Sequence, residues 1–161
     1  MKITLNALPD TLEEFKLLLK EDFSLPEYTC ALLICAFNVF CKDNIVGTEA
    51  INLLKGPEKL SNHAIGLLKD CLNDKPHLPL SFFKGATPQN NYTPREYTIE
   101  FLPEQSSQAC EEGYMRLWLS SGGADSPRQV KLRKKGDEWF IWEYPSLIMG
   151  IRKPAKEDVW A

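Results

Sequence analysis

Three observations predict an α+β fold with the helices on the N-terminal side. Apolar residues recur at helical spacing up to about residue 75 and alternate strictly from residue 96, so their period drops from about 3.6 to 2. The stretch TCALLICAFNVFC at 29–41 is apolar nearly all round, as a central buried helix should be. RQVKLRKK and EWFIWEY are joined by so tight a Lys135-Gly136-Asp137 turn that they read as an antiparallel hairpin. About four helices are therefore expected to cover the apolar face of an antiparallel meander of about four strands. The chain reads as one domain over 1–161, with a helical half (1–75), a connecting loop (76–95) and a β-rich half (96–161).

Taken in order, a short strand at Ile3–Leu5 precedes PDTLEEFKLLLK, where Asp10 or Thr11 caps a helix and Glu13 or Glu14 follows three residues on. Leu12, Phe15, Leu18 and Leu19 form its apolar face. Pro26 suits the first turn of the second helix, which runs to about Lys42. Gly47 to Lys55 gives a third helix closed by Gly56-Pro57, and Ser61 caps a fourth that ends at Lys75-Pro76. In EYTIEFL, Tyr97, Ile99 and Phe101 oppose Glu96, Thr98 and Glu100; in YMRLWLS, Met115, Leu117 and Leu119 oppose Arg116 and Trp118. Val130 and Leu132 then oppose Lys131 and Arg133. A helix-wrapped, strongly curved sheet of the cystatin or nuclear-transport-factor type is one specific form of such an arrangement.

At 161 residues the chain is long enough to bury a core without staples. A net charge of −3 argues against a dedicated nucleic-acid binder, whose domains usually run basic. Residues 1–80 hold eight Lys and no Arg against eleven acids, whereas 81–161 balance eleven basic residues with eleven acidic ones. Every arginine lies at or beyond Arg95, so bidentate anion recognition is expected in the second half. Five cysteines, with no CxxC spacing, fit neither a disulfide framework nor a zinc site and read as small buried hydrophobes. No cofactor is implied. MKITLNALPD lacks the apolar core of a secretion signal, and the apolar run at 29–41 is too short to span a bilayer. The expectation is a cytoplasmic protein with no membrane partner.

No catalytic constellation stands out. Cys71 and His77 can be drawn as a nucleophile pair, but a cysteine on an apolar helix face is usually core, and a reactive thiol needs an electropositive, accessible setting. Glu111-Glu112 are neighbours that point apart, and SSGGADSPR at 120–128 lacks the lysine and strand-to-helix context of a phosphate loop. The basic strand 128–135 beside Trp139, Phe140 and Trp142 admits single-stranded nucleic acid, but a charged solvent face is ordinary sheet design.

GATPQNNYTP at 85–94, SGGADSPRQVKLRKKGDEWFIWEY at 121–144 and GIRKPAKEDVWA at 150–161 together resemble a family of small bacterial proteins, mainly from Firmicutes, classed as a domain of unknown function. The likeness covers residues 76–161 best. Its members often close with Asp-Pro-Trp, where this chain has Asp158-Val159-Trp160. The resemblance implies a bacterial origin and a shared fold, and no activity, cofactor or catalytic residue.

In a meander, the connection into the first strand and the link from the second to the third lie at the same end of the sheet. These three turn-rich stretches can therefore converge. Asn90, Asn91, Tyr92, Arg95, Asp125, Arg128, Arg152 and Trp160 would then line a recognition surface for a protein partner or a small anionic ligand. The plainer alternative pairs Asp125 with Arg152, sets Trp160 as a plug at the core edge and leaves the asparagines to cap turns. The function expected is a non-catalytic binding module. A small enzyme with a site in the helix–sheet crevice, where Cys71, His77 and Tyr92 come first, is the competing class.

Overall fold

The computed structural model describes residues 1–19 and 23–161. It places strand β1 at Lys2–Leu5, then helices α1 (Leu12–Leu19), α2 (Pro26–Lys42), α3 (Asn44–Lys55), α4 (Asn62–Leu72) and the single turn α5 (His77–Leu80). Strands β2 (Tyr97–Leu102), β3 (Tyr114–Leu119), β4 (Arg128–Lys135) and β5 (Glu138–Glu143) follow, with 3-10 turns at Pro88–Asn90, Pro145–Leu147 and Ala155–Glu157. The fold is α+β, with the helices N-terminal and a curled antiparallel sheet of order β1-β2-β3-β4-β5. Lys20, at the end of the first predicted helix, lies outside the described residues.

α2 is the hub. Every residue from Thr29 to Phe40 is buried, and the helix packs on α1, α3, α4, α5, β1 and β5. One apolar cluster joins it to Phe15, Ile51, Leu54, Leu68 and Leu72 of the other helices and to Ile99, Val130, Leu132 and Ile141 of the sheet. α3 begins three residues before the predicted Gly47. Asp43 closes α2 by donating its backbone N–H to Val39 O (2.8 Å), and its carboxylate accepts from Ile45 N and Val46 N (3.0 and 3.1 Å) to open α3. A single cap residue thus serves both helices. Gly47 sits inside α3, where its bare Cα lets the helix lie against the Phe40 backbone.

The predicted first strand joins the sheet as an edge, with Ile3 opposite Ile99. β2 is shared unequally between its neighbours. It faces β1 along Tyr97–Glu100 but meets β3 only at Phe101↔Leu119 and Leu102↔Trp118. The connecting segment fills the space this leaves. Phe83 bridges to Ile99, and Lys84 N donates to Thr98 O at 2.8 Å. Residues 76–95 are therefore more than a loop: they carry α5, and Phe82 and Phe83 are buried.

All five cysteines are free; Cys30 and Cys35 are buried and Cys41, Cys71 and Cys110 partly so. Burial pushes the thiols of Cys35 and Cys41 up to about 12 and raises Cys30 as well. It also raises the Tyr144 phenol to about 12, with the nearby Cys71 adding to the effect. A group whose folded pKa lies above its unfolded value stabilises the fold fully below the unfolded pKa and loses that contribution as pH rises to the folded one. Unfolded thiols titrate near 9.0, so stability should fall continuously between about pH 9 and pH 12. Urea denaturation across that range checks it. Cys35→Ala should flatten the slope.

Candidate functional site

The three turn-rich stretches do meet at one end of the sheet. Thr87 and Asn90 cap one another: Asn90 N donates to Thr87 Oγ1 (3.3 Å) and Thr87 N to Asn90 Oδ1 (2.9 Å). The Asn90 amide also donates to the carbonyls of Gly85 (2.7 Å) and Thr93 (3.2 Å), so its polar atoms are spent on holding the loop. Asn91 and Tyr92 follow in the left-handed region, at φ 56° and 52°. That is uncommon for asparagine and a true outlier for tyrosine. The paired inversion turns the Tyr92 ring inward, where it is fully buried.

Inside, the Tyr92 ring lies 5.4 Å from that of His77, and its hydroxyl donates to the carbonyl of Arg152. Arg152 N donates to Gly123 O (2.9 Å), and its guanidinium reaches Asp125 Oδ1 at 2.9 Å. Ser81 stitches the other side: its carbonyl accepts from Gly122 N (2.9 Å) and its hydroxyl meets that of Ser121 (2.8 Å). Gly122 must be glycine, because an added Cβ would fall on the carbonyl oxygen of Ala86. Arg128 ties in the tail, donating to the carbonyls of Ser146 (3.2 Å), Met149 (2.7 Å) and Gly150 (3.0 Å).

The eight predicted residues thus separate by role. Asn90, Tyr92, Arg128 and the Asp125–Arg152 pair hold the corner together, although Arg152 and Asp125 remain solvent-accessible. Asn91 and Arg95 stand exposed on its surface. Trp160 departs from the core-plug alternative. It is 92% exposed, and its backbone N–H donates to the Asp158 carboxylate at 2.9 Å. Ser81, Ser121 and Gly122 were not singled out from sequence. Their contacts are long-range backbone and hydroxyl bonds, which carry no periodic signal.

An open cleft of about 620 Å³ adjoins the corner, between α4–α5 and residues 148–153, with Cys71, Lys75, His77, Arg152, Lys153 and Asp158 on its walls. Cys71 and His77 therefore share one cleft. Neither group is shifted toward its charged form. Burial raises the Cys71 thiol, with Lys75 lowering it and Asp70 raising it by less. Burial lowers the His77 imidazole, Glu157 pulling it back up and Lys75 down. A reactive cysteine needs the opposite shift. Tyr92 commits its hydroxyl proton to a carbonyl and is raised by burial, with Arg152 lowering it. Among the described residues, no group of three or more His, Cys, Asp or Glu is placed to hold a metal ion.

A family model matches residues 7–155 of this chain, nearly its whole length. The chain belongs to the family described as a domain of unknown function, DUF6935. The converging segments 85–94 and 121–144 lie wholly inside the matched span, so the corner is part of the DUF6935 domain itself. Val159 and Trp160 lie beyond it. No curated protein and no solved structure matches the chain.

The outer face of β3–β5 is a different surface of the DUF6935 domain. Lys131 Nζ lies 4.9 Å from the Tyr114 ring, and the Arg133 guanidinium 5.5 Å from Tyr114 and 4.8 Å from Trp142. Glu143 stands opposite Lys131, so the basic strand has an acidic neighbour. Among the described residues, no helix is long and apolar enough to cross a membrane.

Proposed function

We propose that this protein is a non-catalytic binding module of a bacterial cytoplasm that docks a protein partner on the corner surface. The observation that carries the reading is Trp160, 92% exposed and beside Val159 at 87%. Met149, 43% exposed, sits on the lip of the adjoining cleft. Burying a tryptophan removes about 150–250 Å² from water, and tryptophan and arginine dominate interface hot spots. Arg152 and Lys153 line the same cleft as Met149, with Asp158 between that cleft and Trp160 in the chain. The same two cations with Lys75 support a second reading, a small anionic ligand in the cleft.

Wild-type protein and the variants Trp160→Ala and Arg152→Ala, immobilised at equal stability, test this against lysate of the native cell. A partner retained by the wild type should be lost with Trp160→Ala and weakened with Arg152→Ala. Tm should stay within about 2 °C for Trp160→Ala, because an exposed side chain contributes little to the fold. Capture indifferent to both variants overturns the reading.

A further inference from the structure

We propose that a groove at the hairpin end of the sheet binds a planar aromatic carboxylate. The end of α3 and the following turn cross β5 here and leave a hollow of about 360 Å³. Its walls include Phe140 and Trp142, with Lys55, Arg133, Lys134 and Lys135 as cations and Glu58 as the opposing charge. A second hollow of about 410 Å³ lies beside it, with Lys55, Glu58 and Trp142 common to the walls of both, and each is of ligand size.

Two side chains indicate the ligand's charge. Arg116 pairs with Glu104, Arg128 with three carbonyls and Arg152 with Asp125. Among the described residues, Arg133 and Arg95 have no ion pair, and the Arg133 guanidinium lies against the Tyr114 and Trp142 rings, at 5.5 and 4.8 Å. That contact leaves the N–H fork open to a bidentate carboxylate. Lys55 is half-buried in the groove, and burial lowers its pKa while Glu58 raises it. An ammonium that has given up part of its hydration gains from an anion beside it. Phe140, stacked 5.7 Å from Phe23, supplies a fixed flat wall. A flat ring with one carboxylate satisfies the aromatic walls and both cations; a cationic ligand satisfies neither cation.

Titration calorimetry with 1-naphthoate, against 1-naphthylmethylamine, tests the inference. Saturable one-to-one binding of the carboxylate is expected, with none of the amine. Arg133→Gln and Lys55→Gln should each weaken it about tenfold or more. Amide chemical-shift changes in the wild-type protein should localise to 55–58 and 133–142, which keeps the test decisive if a variant misfolds. Absence of saturable binding overturns the inference, as does equal binding of the amine, indifference to both variants, or shifts that localise elsewhere.

Discussion

Tyr92→Ala should cost about 3–5 kcal/mol, the range for removing a buried aromatic, and should be the most damaging single truncation at the corner. Tyr92 is the largest fully buried side chain described, and it arrives there through a left-handed backbone that a tyrosine does not adopt readily. Packing on His77 and the bond to the Arg152 carbonyl hold it in that conformation. Losing the ring removes both and leaves the strain, since alanine tolerates φ 52° no better. Tyr92→Phe keeps the ring and deletes only the hydroxyl, so it should cost about 1 kcal/mol. Urea denaturation of the two variants gives the ordering. Equal costs would mean that the hydroxyl, not the ring, dominates.

Gly122→Ala should destabilise by about 3 kcal/mol through overpacking, or about 6–12 °C in Tm for a chain of this size. The added methyl would land on the Ala86 carbonyl oxygen and 3.0 Å from its carbon. Neither backbone can retreat freely. Gly122 is bonded to Ser81 O, and Ala86 N is bonded to Phe83 O at 3.2 Å. Gly66 provides the control, because an added Cβ there, mid-way along α4, meets nothing within 4 Å. Gly66→Ala should stabilise by about 0.5–1 kcal/mol through helix propensity. Calorimetric Tm values of opposite sign for the two changes confirm that close approach at the corner is the cause.

The elements that sequence predicts well are those with a strong local period. The all-round apolar run of α2 and the alternation in β4 report burial directly, whereas β3 is half-buried along most of its length and β2 buries Thr98, which the alternation set on the polar face. Asp43 hid the start of α3, because Asp-Asn reads as turn chemistry and here is cap chemistry for two helices at once. The bridge from Phe83 to Ile99 was hidden for a different reason: backbone pairing of a single residue leaves no pattern. At the corner, convergence of the three stretches followed from meander geometry, and the Asp125–Arg152 pair is the one the plainer, structural alternative expects. Arg128 was not legible as a strut, since the carbonyls it binds have no side-chain signature. The alternative that set Trp160 as a core plug fails, because the side chain is exposed and only its backbone N–H is held, by Asp158.

What distinguishes a docking surface from a surface that is merely exposed is a discrete neighbour in the cell. The most direct measurement places a photo-crosslinking amino acid at position 160 in the full chain, in its native cell. Position 45, where Ile45 is 74% exposed on α3, serves as the control. A discrete crosslinked protein is expected from position 160, absent from position 45 and lost when Arg152→Ala is added. Identical patterns from the two positions, or no crosslink at either, would contradict it.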